Sequence, residues 1–333
     1  MPPIITVSGV SKTFRQAKRR PGLLGSIRSL FSGDFTAVNA VRDVSFSIAA
    51  GEAVGYLGPN GAGKSTMIKM MTGILVPSAG RLGVLGREPH SHRIANAAEI
   101  GVVFGQRSQL WWDLPVRDSF ALHRHIYDIP EPRYAANLAF LADMLAMRDY
   151  LDRPVRQLSL GQRMRAEIAM ALLHDPRILF LDEPTIGLDV VAKDAVRKFL
   201  ARINRERGTT IILTTHDLQD IEEICPRLIM VDDGRLLFDG ELGRLRSALG
   251  ARRRLRLEFG SDPGPLKLTT ARLVRDDGAA KHFLLDREEV SILDVLTELG
   301  GGYDLKDAAL DEPAIEEVIR TFYQQKPNLV APS

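Results

Sequence analysis

The chain has 333 residues, of which 45% are hydrophobic and 26% are charged, and these values are ordinary for a globular protein. At about 150 residues per domain, this length predicts about two domains and excludes a disordered or fibrous chain. The 44 lysines and arginines nearly cancel the 42 acidic residues, so the net charge of +2 argues against a general nucleic-acid binder.

The single cysteine, Cys225, excludes an internal disulfide and a metal site built on several cysteines. We interpret it as a small core residue in a reducing cytosolic setting, because no reactive-cysteine motif surrounds it. No apolar run approaches the ~18–20 residues that a membrane-spanning helix needs, and the start MPPIITVSGV lacks the basic region of a signal peptide. We therefore expect a chain that acts at a membrane only through a partner.

A basic segment lies near the N-terminus, between Lys12 and Thr36, and its only acidic residue is Asp34. Its apolar residues fall on one face at helical spacing, and they are Leu23, Leu24, Ile27, Leu30 and Phe31. Two interpretations stay open. The segment either packs on its own domain as a surface excursion, or it forms a basic amphipathic patch that touches membrane headgroups or a membrane subunit.

Strand-like and helix-like segments alternate from Ile4 to about Gly240, which predicts an α/β core. Val44, Phe46 and Ile48 alternate with polar neighbours, as in a half-buried strand. Short apolar runs predict central parallel strands, which we place at 53–57, 178–181, 211–214 and 228–231. Residues 107–158, including a helix over 133–147, are predicted to be helical, and they indicate an inserted helical subdomain over about 107–165.

The pattern changes after Gly240. The expected elements are a helix over 241–249, a strand through Leu255, Leu257 and Phe259, further strands near 266–274 and 282–285, and helices near 290–299 and 314–323. We therefore predict a core domain over 1–240 and a small α+β accessory domain over 241–333.

A glycine-rich motif follows the predicted strand at 53–57. The sequence GPNGAGKST at 58–66 fits the phosphate-binding pattern G-x-x-x-x-G-K-[ST], and a helical segment follows it. Its glycines let backbone N–H groups close on phosphate oxygens at a helix N-terminus. Lys64 is expected to reach the β- and γ-phosphates and Ser65 to ligate Mg²⁺. The predicted nucleotide-binding residues are Gly58, Asn60, Gly61, Gly63, Lys64, Ser65 and Thr66.

A pair of carboxylates ends the apolar strand at 178–181. Because Asp182 directly follows the strand, it is expected at the sheet edge beside the phosphate-binding loop, where it is predicted to ligate Mg²⁺. Glu183 is predicted to polarise the attacking water as a general base. A lone Asp-Glu pair is more often a solvated strand end, but the nearby loop favours the catalytic role. These two motifs alone fit kinases, GTPases and many ATPases.

Further motifs narrow the class. The sequence LSLGQ at 158–162 opens a helical run about 20 residues before Asp182. Together with Gln106, Asp189 and His216, this order resembles the ATP-binding subunits of ABC transporters. The resemblance covers about residues 4–240 and five ordered motifs. It implies an ABC-type P-loop ATPase core with an inserted helical subdomain, to which the small C-terminal α+β domain is added.

The resemblance implies roles for residues that surround the nucleotide. Gln106 senses Mg²⁺ and the attacking water and couples to the membrane subunit, and Gln109 is the runner-up for this role. Phe14 stacks on adenine, although the basic segment lengthens the gap between Phe14 and the phosphate-binding loop. The implied catalytic set is Lys64, Gln106, Glu183 and His216, and the implied Mg²⁺ set is Ser65, Gln106 and Asp182.

The resemblance also implies residues that act across a dimer interface. Ser159 and Gly161 contact the γ-phosphate held by the opposite subunit, and Gln162 belongs to the same binding set. Asp189 lies in a loop that crosses the interface, and His216 holds the γ-phosphate.

The sequence departs from the family pattern at two positions of these motifs. Leu160 replaces a glycine, which costs free energy if the position needs a positive φ. Ile186 replaces a small polar residue in the interface loop.

The implied function is an ATP hydrolase that dimerises head-to-tail around two ATP–Mg²⁺, with a second copy or a paralogous ATPase subunit. It would drive an integral membrane permease from the cytoplasmic face of the cell membrane, and no nucleic acid is expected as a partner. The motif FGQRSQLWWDLP and the C-terminal appendage are most similar to bacterial exporters of drugs, antibiotics or polysaccharides, although import stays open. Trp111 and Trp112 either contact the permease or form helical-subdomain core.

The sequence fits two other functions less well. Soluble ABC-type ATPases of translation or DNA repair usually carry two tandem ATPase domains or a long coiled-coil insertion, and this sequence has neither. A non-hydrolysing regulatory module is disfavoured because the set Lys64, Asp182, Glu183 and His216 is intact.

Overall fold

The computed structural model describes residues 3–17, 35–105, 107–248, 253–285, 290–311, 315–316, 318–320 and 322–323. The chain divides into two compact units, Met1–Gly240 and Glu241–Ser333. None of the helices in these described ranges is both long and apolar enough to cross a bilayer.

The strands of the first unit are, in chain order, β1 (Pro3–Ala17), β2 (Phe35–Ala49), β3 (Ala53–Leu57), β4 (Ala79–Val84), β5 (Ile100–Phe104), β6 (Ile178–Asp182), β7 (Thr210–Thr214), β8 (Arg227–Asp232) and β9 (Arg235–Glu241). Its helices are α1 (Lys64–Met71), α2 (Arg93–Ala97), α3 (Val116–Ile126), α4 (Glu131–Met144), α5 (Leu160–Leu172), α6 (Val190–Arg207) and α7 (Leu218–Ile224). Two short 3₁₀ turns, Arg148–Tyr150 and Val155–Gln157, lie between α4 and α5.

A six-stranded sheet with the order β5-β6-β7-β3-β8-β9 forms the centre of the first unit. The pairs β5–β6, β6–β7, β7–β3 and β3–β8 are parallel. Every residue of β3 and β7 is buried, which fits their nearly unbroken apolar sequences AVGYL and TIILT. The predicted central strands are therefore confirmed. Because the strands are parallel, the carboxyl ends of β3, β5, β6 and β7 meet at one edge, where such sheets bind ligands.

A second, three-stranded sheet has the order β2-β1-β4 and pairs its strands in antiparallel fashion. Val44, Phe46 and Ile48 of β2 are buried while the serines between them are exposed, which confirms the predicted half-buried strand. The residues of the basic segment that fall at helical spacing, Leu23 to Phe31, lie within 18–34, outside the described residues. On either side of that range, Ala17 pairs with Phe35.

The chain between β5 and β6 forms α3, α4 and α5, which agrees with the predicted helical character of this region. The helix predicted over 133–147 is displaced, because α4 begins at Glu131 and ends at Met144. It ends early since Ala146 adopts a left-handed backbone conformation with a φ of 49°. Residues 107–115 are not helical, contrary to the prediction that helical structure begins at 107.

A buried cluster of aromatic rings joins α3 to the segment that follows α5. Nε2 of His123 lies 3.4 Å from Nδ1 of His174, and Tyr127 stacks on both rings. Nε2 of His174 lies 2.9 Å from the carbonyl oxygen of Ile100, so this nitrogen carries the ring proton. Burial disfavours the imidazolium and lowers the pKa of His123 to about 3 and that of His174 to about 4.

We therefore expect the free energy of unfolding to fall as the pH drops from about 6.5 toward 4. In this range the histidines of the unfolded chain bind protons, whereas the two buried rings stay neutral. Each ring therefore lowers the free energy of unfolding by about 2 kcal/mol between pH ~7.5 and ~5. Urea unfolding at both pH values measures the loss. His174→Gln should abolish at least half of it, and the exposed His125→Gln is the control. Equal pH dependence in wild type and His174→Gln would contradict this expectation.

The second unit contains α8 (Leu242–Ala248), β10 (Arg254–Phe259), β11 (Ala271–Asp277), β12 (Ala280–Leu285), α9 (Ile292–Leu299) and β13 (Leu305–Asp311). The four strands form an antiparallel sheet with the order β11-β12-β10-β13. Leu255, Leu257 and Phe259 lie in the core of this unit with Phe283 and Val295. The predicted α+β character is therefore present.

One prediction for this unit needs correction. The strand predicted at 266–274 is β11, which begins only at Ala271; Leu266 instead packs into the core from a non-strand segment that follows Pro263 and Pro265. The N–H groups of Thr269 and Thr270 donate to the carboxylate of Glu298 instead of to a neighbouring strand, so the strand starts later. The predicted helix at 314–323 falls partly on residues outside the described ranges.

Candidate functional site

The phosphate-binding loop connects the end of β3 to the first residue of α1. Gly61 and Gly63 have φ values of 85° and 96°, a region that side chains strain. A Cβ atom on Gly63 would lie 2.2 Å from the carbonyl oxygen of Ala40, and one on Gly58 would lie 2.3 Å from that of Val231. The predicted glycines are therefore required by the path of the backbone.

Lys64 is the first residue of α1 and its side chain is buried. Its Nζ donates hydrogen bonds to the carbonyl oxygens of Gly58 at 2.6 Å and Pro59 at 3.1 Å. Burial lowers the pKa of Lys64, and the negative charges of Glu183 and Asp182 oppose this shift. The first turn of α1 contains no acidic residue, so its free N–H groups and its positive end suit an anion.

A cavity of about 290 Å³ lies beside α1. Its lining residues are Ser65, Lys69, Ile74, Phe104, Gly105, Arg107, Asp182 and Glu183. Asp182 ends β6, and one of its carboxylate oxygens accepts a hydrogen bond of 2.5 Å from the hydroxyl of Thr214 at the end of β7. The hydroxyl of Ser65 and the carboxylate of Asp182 are the kind of oxygen ligand that Mg²⁺ accepts, so the cavity fits that ion.

Glu183 and His216 form a close pair of titratable groups at this edge. Nε2 of His216 lies 2.7 Å from Oε1 of Glu183. Glu183 has a φ of 56°, and its N–H donates to the carbonyl oxygen of Thr214 at 2.9 Å. A non-glycine residue held in this conformation indicates strain of the kind that clusters at functional sites. The carboxylate can accept a proton from a water molecule in the cavity, and the imidazole can orient it or share the proton.

The motif LSLGQ at 158–162 lies at the start of α5. The hydroxyl of Ser159 accepts a hydrogen bond from the N–H of Gln162, whose side-chain oxygen accepts one from the N–H of Ser159. Leu160 is the first residue of this helix and does not have a positive φ. Its replacement of glycine therefore costs no backbone strain. A Cβ on Gly161 would lie 2.9 Å from Cβ of Ala192, so this helix start packs closely against α6.

The loop predicted to cross the dimer interface ends at Asp189, which caps α6. A carboxylate oxygen of Asp189 accepts a 2.8 Å hydrogen bond from the N–H of Ala192. Ile186, Val190 and Val191 lie exposed in and beside this loop, so the apolar Ile186 adds to an apolar surface.

Phe14 lies on β1 opposite Val38 of β2, and Nζ of Lys12 lies 5.3 Å from the centre of its ring. The structure thus brings together Lys64, Ser65, Asp182, Glu183 and His216. Phe14, Ser159, Gly161, Gln162 and Asp189 do not line the cavity of their own chain.

Gln106 lies outside the described residues, and its neighbours Gly105 and Arg107 line the cavity. The runner-up, Gln109, uses its side-chain amide to donate to the carbonyl oxygen of Val102. Its N–H donates to the buried carboxylate of Glu167 on α5.

Sequence reasoning missed several residues that hold the site together. Glu167 also accepts a hydrogen bond from the hydroxyl of Ser108, and burial raises its pKa. The sequence did contain an indication of this role of Glu167, because an acidic residue among the apolar residues of AEIAMALL is expected to be buried with a hydrogen-bond partner. Thr214 was included in a predicted strand, but its bond to Asp182 has no local sequence signature.

The fold and this site define a P-loop ATPase with a helical insertion, and comparison with known proteins specifies the family. The family model described as ABC transporter matches residues 41–186. The ABC transporter ATP-binding protein NatA of Bacillus subtilis is 36% identical over 208 residues, which cover 62% of this chain and 84% of that protein. The chain belongs to the ATP-binding proteins of ABC transporters and is an ATP-hydrolysing transporter subunit.

Other relatives differ in the direction of transport that their names state. The Nod factor export ATP-binding protein I of Rhizobium johnstonii is 38% identical over 201 residues, which cover 60% of this chain and 64% of that protein. The methionine import ATP-binding protein MetN of Geobacillus kaustophilus is 34% identical over 223 residues, 66% of this chain and 65% of that protein. The relatives therefore include both exporters and importers.

Solved structures share the fold. An ATP-binding subunit of an ABC transporter aligns with a TM-score of 0.62 and 26% identity, covering 74% of this chain and 93% of that one. CbiO1 of Clostridium perfringens, part of the transporter complex cbiONQ, aligns with a TM-score of 0.60 and 26% identity, covering 74% and 91%.

Proposed function

We propose that the protein hydrolyses ATP in a head-to-tail dimer with a second copy of itself and thereby drives export through an integral membrane permease. One observation carries the hydrolytic part: Ser65, Asp182 and Glu183 line one cavity, and His216 lies 2.7 Å from Glu183. The dimer is supported by the position of Ser159 and Gly161, which do not line that cavity and are free to serve the cavity of a second chain.

The proposed chemistry assigns one task to each part of the cavity. Lys64 and the N–H groups at the start of α1 bind the phosphates, and Ser65 and Asp182, with Gln106, would hold Mg²⁺. When bound, Mg²⁺ neutralises charge on the phosphate oxygens. Glu183 orients the attacking water and accepts its proton, and His216 positions the Glu183 carboxylate and the γ-phosphate. Phe14 stacks on adenine.

The permease contact is supported by apolar surface on the helical region. Trp111 and Trp112 are 40% and 54% exposed, so the interpretation of both as helical-subdomain core is wrong. Leu122 and Ile126 of α3 are also exposed, one helical turn apart. Exposed aromatic and other large apolar side chains are typical of a protein–protein contact.

A gentle detergent pull-down of the tagged protein from its native membranes tests the partner. We expect a multi-span membrane protein in near-equal amount, and we expect Trp111→Ala combined with Trp112→Ala to lose it. Leu293→Ala removes an even more exposed apolar side chain from the second unit and should retain the partner. Recovery of ribosomes, DNA or no partner would contradict the proposal and favour the soluble ATPases of translation or DNA repair.

The export direction is supported by the name and the higher identity of the Nod factor export relative, 38% against 34% for MetN. Inside-out vesicles that contain the complex test the direction, because ATP added outside reaches the ATPase subunits. An exporter accumulates a labelled oligosaccharide or a cationic dye in the vesicle lumen. Release of preloaded compound on ATP addition would instead show import.

A further inference from the structure

A completely buried carboxylate lies behind the catalytic edge of the sheet. Asp220, on α7, is 0% exposed and was not predicted to have any role. Its Oδ2 accepts hydrogen bonds from the hydroxyls of Thr185 at 2.5 Å and Thr215 at 2.8 Å. Its Oδ1 accepts one from Nε of Arg197 at 2.6 Å. Both oxygens are therefore engaged by groups from three different segments.

These partners are adjacent to the residues that the hydrolytic proposal uses. Thr185 lies two positions after Glu183, and Thr215 immediately precedes His216. Because both hydroxyls bind the same oxygen of Asp220, the two loops that follow β6 and β7 are tied to one point. The separation of Glu183 and His216, 2.7 Å between Oε1 and Nε2, depends on the relative position of these loops.

Arg197, the third partner of Asp220, connects the network to the helix that follows the loop ending at Asp189. Arg197 is 4% exposed and lies on α6, the helix that Asp189 caps. Its guanidinium also contacts Asp217 at 3.1 Å and Glu223 at 3.5 Å. Arg197 neutralises the buried charge of Asp220, which would otherwise carry a large desolvation cost. The network therefore joins α6, α7 and both catalytic loops.

The backbone conformation of Glu183 gives a reason why this network is needed. Its φ of 56° is a strained conformation for a residue with a side chain. Strain of this kind persists only where the surrounding structure fixes the chain on both sides. The N–H of Glu183 is fixed by the carbonyl oxygen of Thr214, and Thr185 is fixed by Asp220.

We propose that Asp220 is a positioning residue for ATP hydrolysis, which holds Glu183 and His216 in register through Thr185 and Thr215. This inference rests on the proposed function, because it assigns Asp220 an effect only through the catalytic pair. A purely structural network would affect stability without affecting the rate of the folded enzyme.

The first test compares steady-state kinetics of the full-length protein. Asp220→Asn should lower kcat about 10- to 100-fold, the range expected for misplaced catalytic groups, while KM for ATP changes less than twofold. KM is spared because none of the hydrogen bonds of Asp220 reaches the phosphate-binding loop. Thr185→Val combined with Thr215→Val keeps the Arg197–Asp220 pair and should lower kcat in the same way, which keeps the test valid if Asp220→Asn folds poorly.

A matched control lies at the opposite end of the sheet. Asp239 pairs with Arg227, which starts β8 and also binds Glu52. Asp239→Asn breaks an ion network that is partly exposed, unlike the buried one at Asp220, and should lower the melting temperature with kcat unchanged. If Asp220→Asn behaves like Asp239→Asn, with a lower melting temperature and an unchanged kcat, the inference is overturned.

The second test asks whether Asp220 acts through Glu183. In single-turnover experiments, adding Asp220→Asn to Glu183→Gln should slow hydrolysis less than twofold further, because effects of residues that act as a unit are not additive. A further tenfold loss would overturn the inference. If Glu183→Gln alone retains wild-type turnover, the hydrolytic mechanism of the proposed function fails at Glu183 itself, so the two failures are distinguishable.

Discussion

Replacing Glu183 by glutamine is expected to lower ATP turnover by about 10²-fold or more while ATP binding is retained. Glutamine cannot accept the proton of the attacking water, whereas Lys64 and the start of α1 remain unchanged. Phosphate release measures turnover, and titration with a fluorescent ATP analogue measures binding.

The control for this substitution is Glu206→Gln on α6, which removes an exposed carboxylate paired only across one helical turn with Arg202. Its turnover should match wild type. Unchanged turnover in Glu183→Gln would remove Glu183 from the mechanism and leave the 2.7 Å contact with His216 without a catalytic purpose.

Replacing Lys64 by alanine is expected to weaken ATP binding itself, by about 10- to 100-fold, which corresponds to ~1.5–3 kcal/mol for lost hydrogen bonds to charged oxygens. The buried ammonium is the cation at the centre of the loop, and its carbonyl partners at Gly58 and Pro59 would lose their donor. Calorimetric titration with ATP measures the loss.

Lys198→Ala is the matched control because Lys198 lies exposed on α6 and pairs only with Asp194. Wild-type affinity is expected for that variant. Equal affinity in Lys64→Ala and Lys198→Ala would show that the loop does not bind the phosphates. Together, the Lys64 and Glu183 variants separate binding from hydrolysis.

The parts of the fold that could be predicted are those that short, contiguous sequence patterns indicate. The runs AVGYL and ILFL indicated buried parallel strands, and the motif at 58–66 indicated the loop between β3 and α1. β4 was missed, since Gly80 and Gly83 weaken its strand pattern and its burial comes from pairing with the distant β1. The predicted bounds of α4 were displaced because an alanine gives no indication in the sequence that it will adopt the left-handed conformation seen at Ala146.

The candidate site divides in the same way. Lys64, Asp182 and Glu183 follow from motifs that are contiguous in sequence. The bonds of Asp220 join residues 5 to 35 positions apart, so only the folded chain shows them. The sequence alone predicts backbone strain if Leu160 replaces a glycine with a positive φ. The structure shows no such strain, because Leu160 is the first residue of α5 and its φ is not positive.

The solution mass of the Glu183→Gln variant, measured by light scattering with and without ATP and Mg²⁺, tests the central claim most directly. Two copies held together by unhydrolysed ATP predict twice the monomer mass with ATP and the monomer mass without it. Adding Lys64→Ala should return the mass to that of the monomer in both conditions. A monomer at saturating ATP, or a dimer that does not respond to ATP, would contradict the account.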